Sequence, residues 1–171
     1  MYKTNRNLLY FLSLVMLAYS GYAQKKATAY FFMLEDCVIC QSYTPVINEL
    51  FSGYQDEIDF LLVFPNQRSR KDSIDRFMNK YQLKMPSITD HYKNLSLKFG
   101  VKVTPEVVLV SKDGTILYQG SIDDGYAGIG KRRKARENFL RQAIIHFLNN
   151  EPIQPATTQA FGCFINYKEN N

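Results

Sequence analysis

No stretch of this chain is apolar for long enough to cross a bilayer. The longest, Leu8 to Tyr19, runs about 12 residues, within the roughly 7–15 of a signal-peptide core and short of the ~20 a membrane helix needs. No cysteine stands among the residues at its end, Ser20 to Gln24, which argues against a lipid attached there. There is no internal repeat and no low-complexity segment. The chain holds two histidines and three cysteines in 171 residues. Its charge excess is small: +5 overall, of which Lys3 and Arg6 contribute two. The remaining +3 does not imply a nucleic-acid partner.

What is present points to export. Lys3 and Arg6 form a basic start, Leu8 to Tyr19 the apolar stretch, and Gly21-Tyr22-Ala23 a small-residue end. Residues 1–23 therefore read as a secretory signal peptide in preference to an uncleaved membrane anchor, with a periplasmic or secreted product and no stable membrane insertion after cleavage. Removing 23 of 171 residues leaves 148, the size of one ordinary domain. The domain is expected over 24–150, with 151–171 as a tail docked on it.

All three cysteines follow the signal. Cys37-Val38-Ile39-Cys40 comes directly after the apolar run Phe31-Phe32-Met33-Leu34 and the acids Glu35-Asp36. Two thiols at this spacing either exchange as a redox pair or bind metal. In an oxidising compartment they are expected to close a Cys37–Cys40 disulfide. That bond would enclose two residues, so the chain-entropy stabilisation is small. A bond with so little structural value is better suited to redox work.

Periodicity places the pair between strand and helix. Ala27 to Leu34 reads as a strand covered on both faces. Val38, Ile39, Tyr43, Val46, Ile47, Leu50 and Phe51 form one helical stripe that stays in phase through Pro45. This favours a helix from about Cys37, kinked at the proline, over one starting at Pro45 with Thr44 as N-cap. Ile58 to Phe64 is a second strand, Arg70 to Tyr81 an amphipathic helix and Ser87 to Thr89 a short extended piece. A helix over His91 to Phe99 is ended by Gly100. Val107 to Val110 and Thr115 to Gln119 form a hairpin about Asp113-Gly114. Ser121 to Gly130 is a glycine-rich loop, and Lys131 to Asn149 the last helix. The alternation predicts an α/β protein, a mixed central sheet with helices on both faces.

These residues resemble the thioredoxin-like fold, and more narrowly the exported redoxin-domain thiol–disulfide family. The likeness is carried by Phe31–Leu34 leading into Cys37–Cys40 and by Val103-Thr104-Pro105-Glu106-Val107. The hairpin to Gly120, the run Tyr118 to Gly125 and Gly162-Cys163 extend it. The chain departs from the usual Trp-Cys-Gly-Pro-Cys: it has no tryptophan, and Val38 follows the first thiol. The buried acid that assists the second thiol in thioredoxins has no evident counterpart. The resemblance implies that Cys37 and Cys40 are catalytic, Cys37 attacking and Cys40 resolving. It implies a cis Pro105 against the pair, with Thr104 offering its backbone to an extended substrate. Partners would be protein thiols and disulfides, with a redox donor in the membrane as an upstream option. No cofactor and no metal are implied.

A free thiol has a pKa of roughly 8.5, and a helix N-terminus lowers it. Glu35 and Asp36 oppose that, unless both simply face solvent. Cys163 could serve as a third redox cysteine, bond another chain or sit inert; its neighbours Phe161, Phe164 and Ile165 favour an inert, partly buried thiol on a docked tail strand. Three other readings compete, one of them an adaptor or binding role with no turnover. A peroxiredoxin-like peroxidase would need Pro and Thr where Tyr30 and Leu34 stand. A copper-delivery protein would join His91 to the two thiols. Lys131 to Lys134 with Arg136 reads as the solvated start of the last helix, offset by Asp123 and Asp124.

Overall fold

The computed structural model describes residues 27–126 and 132–167. The signal-peptide reading over 1–23 lies outside them. Five strands form the main sheet in the order β3-β2-β1-β5-β6, where β1 is Ala27–Phe32, β2 Ile58–Phe64, β3 Ser87–Thr89, β5 Glu106–Ser111 and β6 Ile116–Gly120. β2 runs parallel to β1 and β3, whereas β5 is antiparallel to β1 and β6. A separate two-stranded pair joins β4 (Val103–Thr104) to β7 (Cys163–Phe164). The helices are α1 (Val38–Tyr54), α2 (Lys71–Lys80), α3 (Asn94–Phe99) and α4 (Phe139–Leu148). None of the described helices is long and apolar enough to cross a membrane.

Side-chain alternation along the strands builds a core on each face of the sheet. Ala27, Ala29 and Phe31 of β1 join Val107 and Leu109 of β5 in the larger cluster. That cluster also takes Ile47 and Leu50 of α1, Ile74 and Phe77 of α2, and Leu140 and Ile144 of α4. Phe32, Val63, Val108 and Val110 point the other way and meet Phe99 of α3 and Ile165 of the tail. The mixed sheet with helices on both faces is the thioredoxin-like arrangement.

α1 continues through Pro45. Proline offers no N–H to the carbonyl four residues back, which here belongs to Gln41. The Thr44 hydroxyl donates to that carbonyl at 2.8 Å instead. Two predicted helices begin later than periodicity suggests. His91 Nε2 contacts the Ser69 carbonyl oxygen at 2.7 Å, and Lys93 is left-handed (φ 56), so α3 starts at Asn94. The described part of the basic run is a loop, not helix: Arg133 N–H donates to the Gly125 carbonyl at 3.0 Å. Asp124 Oδ1 accepts the N–H groups of Arg136 and Glu137 at 2.8 and 3.1 Å. α4 therefore starts at Phe139.

The tail follows the body. Gln119 N–H donates to Ala156 and Thr158 N–H to Gln119, both at 3.0 Å. The Thr158 hydroxyl accepts Ser121 N–H at 3.0 Å.

Candidate active site

β1 ends at Phe32, and a turn carries the chain to Cys37, the N-cap of α1. Cys37 N–H donates to the Leu34 carbonyl at 3.2 Å, and its own carbonyl accepts Gln41 N–H at 3.0 Å. The first turn of α1 contains no acidic residue. Its unpaired N–H groups favour an anion at the position of the Cys37 sulfur when that sulfur is a thiolate. The Thr104–Pro105 peptide bond is cis, and the Thr104 carbonyl oxygen lies 3.6 Å from the Cys37 sulfur. Cys37, Thr104 and Pro105, more than sixty residues apart in sequence, thus share one site.

The disulfide in this site joins Cys37 to Cys163, with Cα atoms 6.3 Å apart, and Cys40 is the free thiol. Spacing alone pairs Cys37 with Cys40 and favours an inert Cys163; in the structure Cys37 is bonded to Cys163 instead, the bonded, redox-type role among those open to it. The reason is the β4–β7 pairing, which sets Cys163 directly opposite Thr104, whose carbonyl adjoins Cys37. Cys40 sits one turn along α1 and is fully buried, and Leu34 N–H donates to its sulfur at 3.4 Å. Burial pushes the Cys40 thiol up to about 12. The Leu34 N–H and the Thr104 side chain oppose the rise, and the Asp36 charge adds to it. Cys37 is itself 3% exposed with the tail in place.

The two acids before the pair separate. Asp36 is exposed. Glu35 does not simply face solvent: its carboxylate accepts the hydroxyls of Ser69 at 2.7 Å and Ser73 at 3.0 Å, tying the α1 entry to the start of α2. A cleft of about 310 Å³ opens beside β7, with Leu34, Asp36, Arg68, Lys93 and Phe164 among its walls.

The basic run is offset by Asp123, as its sequence suggests, but inside the protein and one turn beyond Cys40 rather than in solvent, with Tyr43 as a further partner. The Tyr43 hydroxyl donates to Asp123 Oδ1 at 2.7 Å, and Gly125 N–H donates to the same oxygen at 2.8 Å. Arg132 pairs with the other carboxylate oxygen, and its guanidinium lies 4.7 Å from the Tyr43 ring centre. Burial and Asp123 raise the Tyr43 hydroxyl above the ordinary tyrosine range. The cluster fixes α1 against the loop before α4. Glu106, beside Pro105, is buried and accepts Gln119 Nε2 at 2.7 Å. Among the described residues no group of three or more His, Cys, Asp or Glu is placed to hold a metal ion.

The chain belongs to the Redoxin family, whose model matches residues 13–126. It is 30% identical over 103 residues to human nucleoredoxin-like protein 1, covering 55% of this chain and 49% of that protein. It is 26% identical over 84 residues to the thiol-disulfide oxidoreductase ResA of Bacillus thuringiensis (strain Al Hakam), covering 48% and 47%. The chain spans about half the length of these curated relatives. Its fold matches a thioredoxin-like protein solved in the oxidised form, with a TM-score of 0.57 at 20% identity over 74% of this chain and 80% of the other.

Proposed function

We propose that this chain is an exported thiol–disulfide oxidoreductase whose exchanging sulfur is Cys37. The observation that carries the reading is the position of Cys37: at the N-cap of α1, against the carbonyl of the cis Thr104–Pro105 bond. The helix end stabilises a Cys37 thiolate. That thiolate attacks one sulfur of a partner's disulfide, forming a Cys37–partner bond and expelling the other partner sulfur as a thiolate. Cys40 then attacks Cys37, the Cys37–Cys40 bond forms, and the reduced partner leaves. In reverse the same steps oxidise a partner dithiol. Thr104 and Pro105 serve as the backbone surface along which the partner's cysteine is presented. Membership of the Redoxin family and similarity to a thiol-disulfide oxidoreductase support this chemistry.

Two other chemistries have less support. Tyr30 is held against Phe99, ring centres 5.3 Å apart, and Leu34 is engaged through its N–H with Cys40. Leu34 has no hydroxyl to offer at the Thr position of a peroxidase motif, and Tyr30 occupies its Pro position. His91 is committed to the Ser69 carbonyl, which disfavours joining the thiols around copper.

The test is dithiol-driven reduction of a protein disulfide. Cys37→Ser is expected to abolish it, and Cys40→Ser combined with Cys163→Ser to accumulate a mixed disulfide through Cys37. Wild-type rates in Cys37→Ser would overturn the reading, as would faster turnover of peroxide than of any disulfide. Export is tested by the mass of the chain recovered from outside the cytoplasm, expected to lack residues 1–23.

A further inference from the structure

The tail reaches Cys37 as an extended strand whose seating is defined residue by residue. β7 runs antiparallel to β4, with Thr104 opposite Cys163 and Val103 opposite Phe164. Gly162 lies so near Thr104 that a Cβ there would sit 1.9 Å from the Thr104 carbonyl oxygen and 3.1 Å from the Pro105 nitrogen. Any side chain at that position is therefore excluded by backbone. The Cys163 carbonyl accepts the Thr104 hydroxyl at 3.4 Å, and its sulfur is bonded to Cys37. Phe164 points to solvent, 83% exposed. Ile165 turns in, 7% exposed, among Phe32, Val63, Phe99, Val101 and Val108, and its N–H donates to the Lys102 carbonyl at 3.0 Å.

We propose that residues 162–165 are an internal substrate: the groove along Val103–Thr104 accepts extended protein segments of the pattern glycine–cysteine–any residue–aliphatic, and the chain's own tail fills it between turnovers. This rests on reading Cys37 as the exchanging thiol, and it names the substrate class for that site. The Cys37–Cys163 bond is then an intramolecular mixed disulfide, the covalent state in which a partner would be held.

Cys40 supplies the release step. Its thiolate attacks the Cys37 sulfur; a Cys37–Cys40 bond forms and the Cys37–Cys163 bond breaks. The electron pair departs on Cys163, which takes up the proton that Cys40 gave up. One disulfide and one thiol exist before and after, so no outside reductant is consumed. The two isomers have the groove filled or freed. The deep burial of Cys40 keeps it protonated and makes the filled isomer persistent. A tethered strand competes at an effective concentration on the order of 1 mM, so the tail admits partners that bind well or are abundant.

The test uses the full chain carrying Cys40→Ser and Cys163→Ser, with Cys37 loaded as a mixed disulfide with a chromogenic aryl thiol. Three blocked peptides displace it: Phe-Gly-Cys-Phe-Ile, the same with Leu for Gly, and the same with Asp for Ile. The first is expected to react about tenfold or more faster than either variant, the discrimination a single misfitted side chain gives. Reaction of all three within about twofold, while glutathione still displaces the aryl thiol, would overturn the internal-substrate proposal and leave the Cys37 chemistry intact. Failure of every thiol to displace it would overturn both. On the unsubstituted chain, ~1 mM of the glycine peptide is expected to expose Cys163 to alkylation; no gain over the leucine peptide counts against the proposal.

Discussion

Thr104 and Cys163 face each other across a two-residue antiparallel pair, 59 positions apart in sequence, with the Thr104 hydroxyl donating to the Cys163 carbonyl. Through this pairing one backbone segment governs both cysteines of the observed bond: the Thr104 carbonyl adjoins the Cys37 sulfur, and the Thr104 strand seats Cys163. The tail's covalent contact with α1 depends on a strand whose fit is limited at Gly162.

Gly162→Ala tests that fit. Its new methyl would meet the Thr104 carbonyl at 1.9 Å, which no rotamer can relieve because the obstacle is backbone. The strand must lift, and Cys163 leaves Cys37 or holds it in a displaced geometry. Alkylation of Cys163 in the unreduced protein is expected to rise by about tenfold or more, the response to roughly 1.4 kcal/mol of lost seating. Alkylation equal to wild type would mean that the strand is not seated this way in solution.

Much of this architecture was legible in the sequence because short-range physics decides it. The unbroken stripe across Pro45 indicated a continuous α1, and Asp113-Gly114 marked the β5–β6 hairpin. Thr104-Pro105 before a buried strand drew attention through its likeness to a known family. The Cys37–Cys163 bond was not legible. It spans 126 positions and depends on two residues of strand pairing, too few to leave a period. Arg133, Arg136 and Glu137 have ordinary helical propensity, which suggests a longer last helix than the one that begins at Phe139. Their N–H groups are instead taken by Gly125 and Asp124. The charge balance between Asp123 and the basic run is legible, but its burial against Tyr43 is not: a loop brings Arg132 to Tyr43 without any spacing signal.

Cys40 should be slow to react and should make stability depend on alkaline pH. With its thiol raised from 9.0 to about 12, the thiolate fraction near pH 7.5 falls roughly a thousandfold below that of an ordinary thiol. Alkylation of Cys40 in the folded protein is expected to climb with pH and show no plateau up to about 10.5. The linkage runs one way. A raised folded pKa means the native state holds its proton more tightly, so this stabilisation is complete below about 9 and is lost as pH rises toward 12. Denaturant midpoints measured between pH 8 and pH 11, for wild type against Cys40→Ala, check it; parallel curves would contradict the shift.

Arg132 neutralises a carboxylate whose side chain is 1% exposed. Arg132→Met removes the cation and leaves Asp123 charged and buried, which typically costs about 3–5 kcal/mol. Asp123→Asn in addition removes the stranded charge while keeping groups for Tyr43 and Gly125. The double variant is therefore expected to recover part of the loss. A double-mutant cycle by urea unfolding measures the coupling; additive losses would mean that Arg132 and Asp123 do not pair in solution.

The same three cysteines make opposite predictions for stability, depending on which bond the folded protein keeps. A bond between positions 126 apart constrains the unfolded chain by about 5 kcal/mol in the chain-entropy account, whereas a two-residue loop contributes far less. At roughly 2–4 °C per kcal/mol for a domain of this size, Cys163→Ser should lower the thermal midpoint by about 10–20 °C, and Cys37→Ser by a similar amount. Cys40→Ser should lower it much less, since the long bond survives. Reductant should bring wild type down to Cys163→Ser and leave that variant nearly unmoved. Calorimetry of the four proteins with and without reductant reads all of these differences. Loss of stability in Cys40→Ser but not in Cys163→Ser would identify Cys37–Cys40 as the resting bond and the tail as free of it.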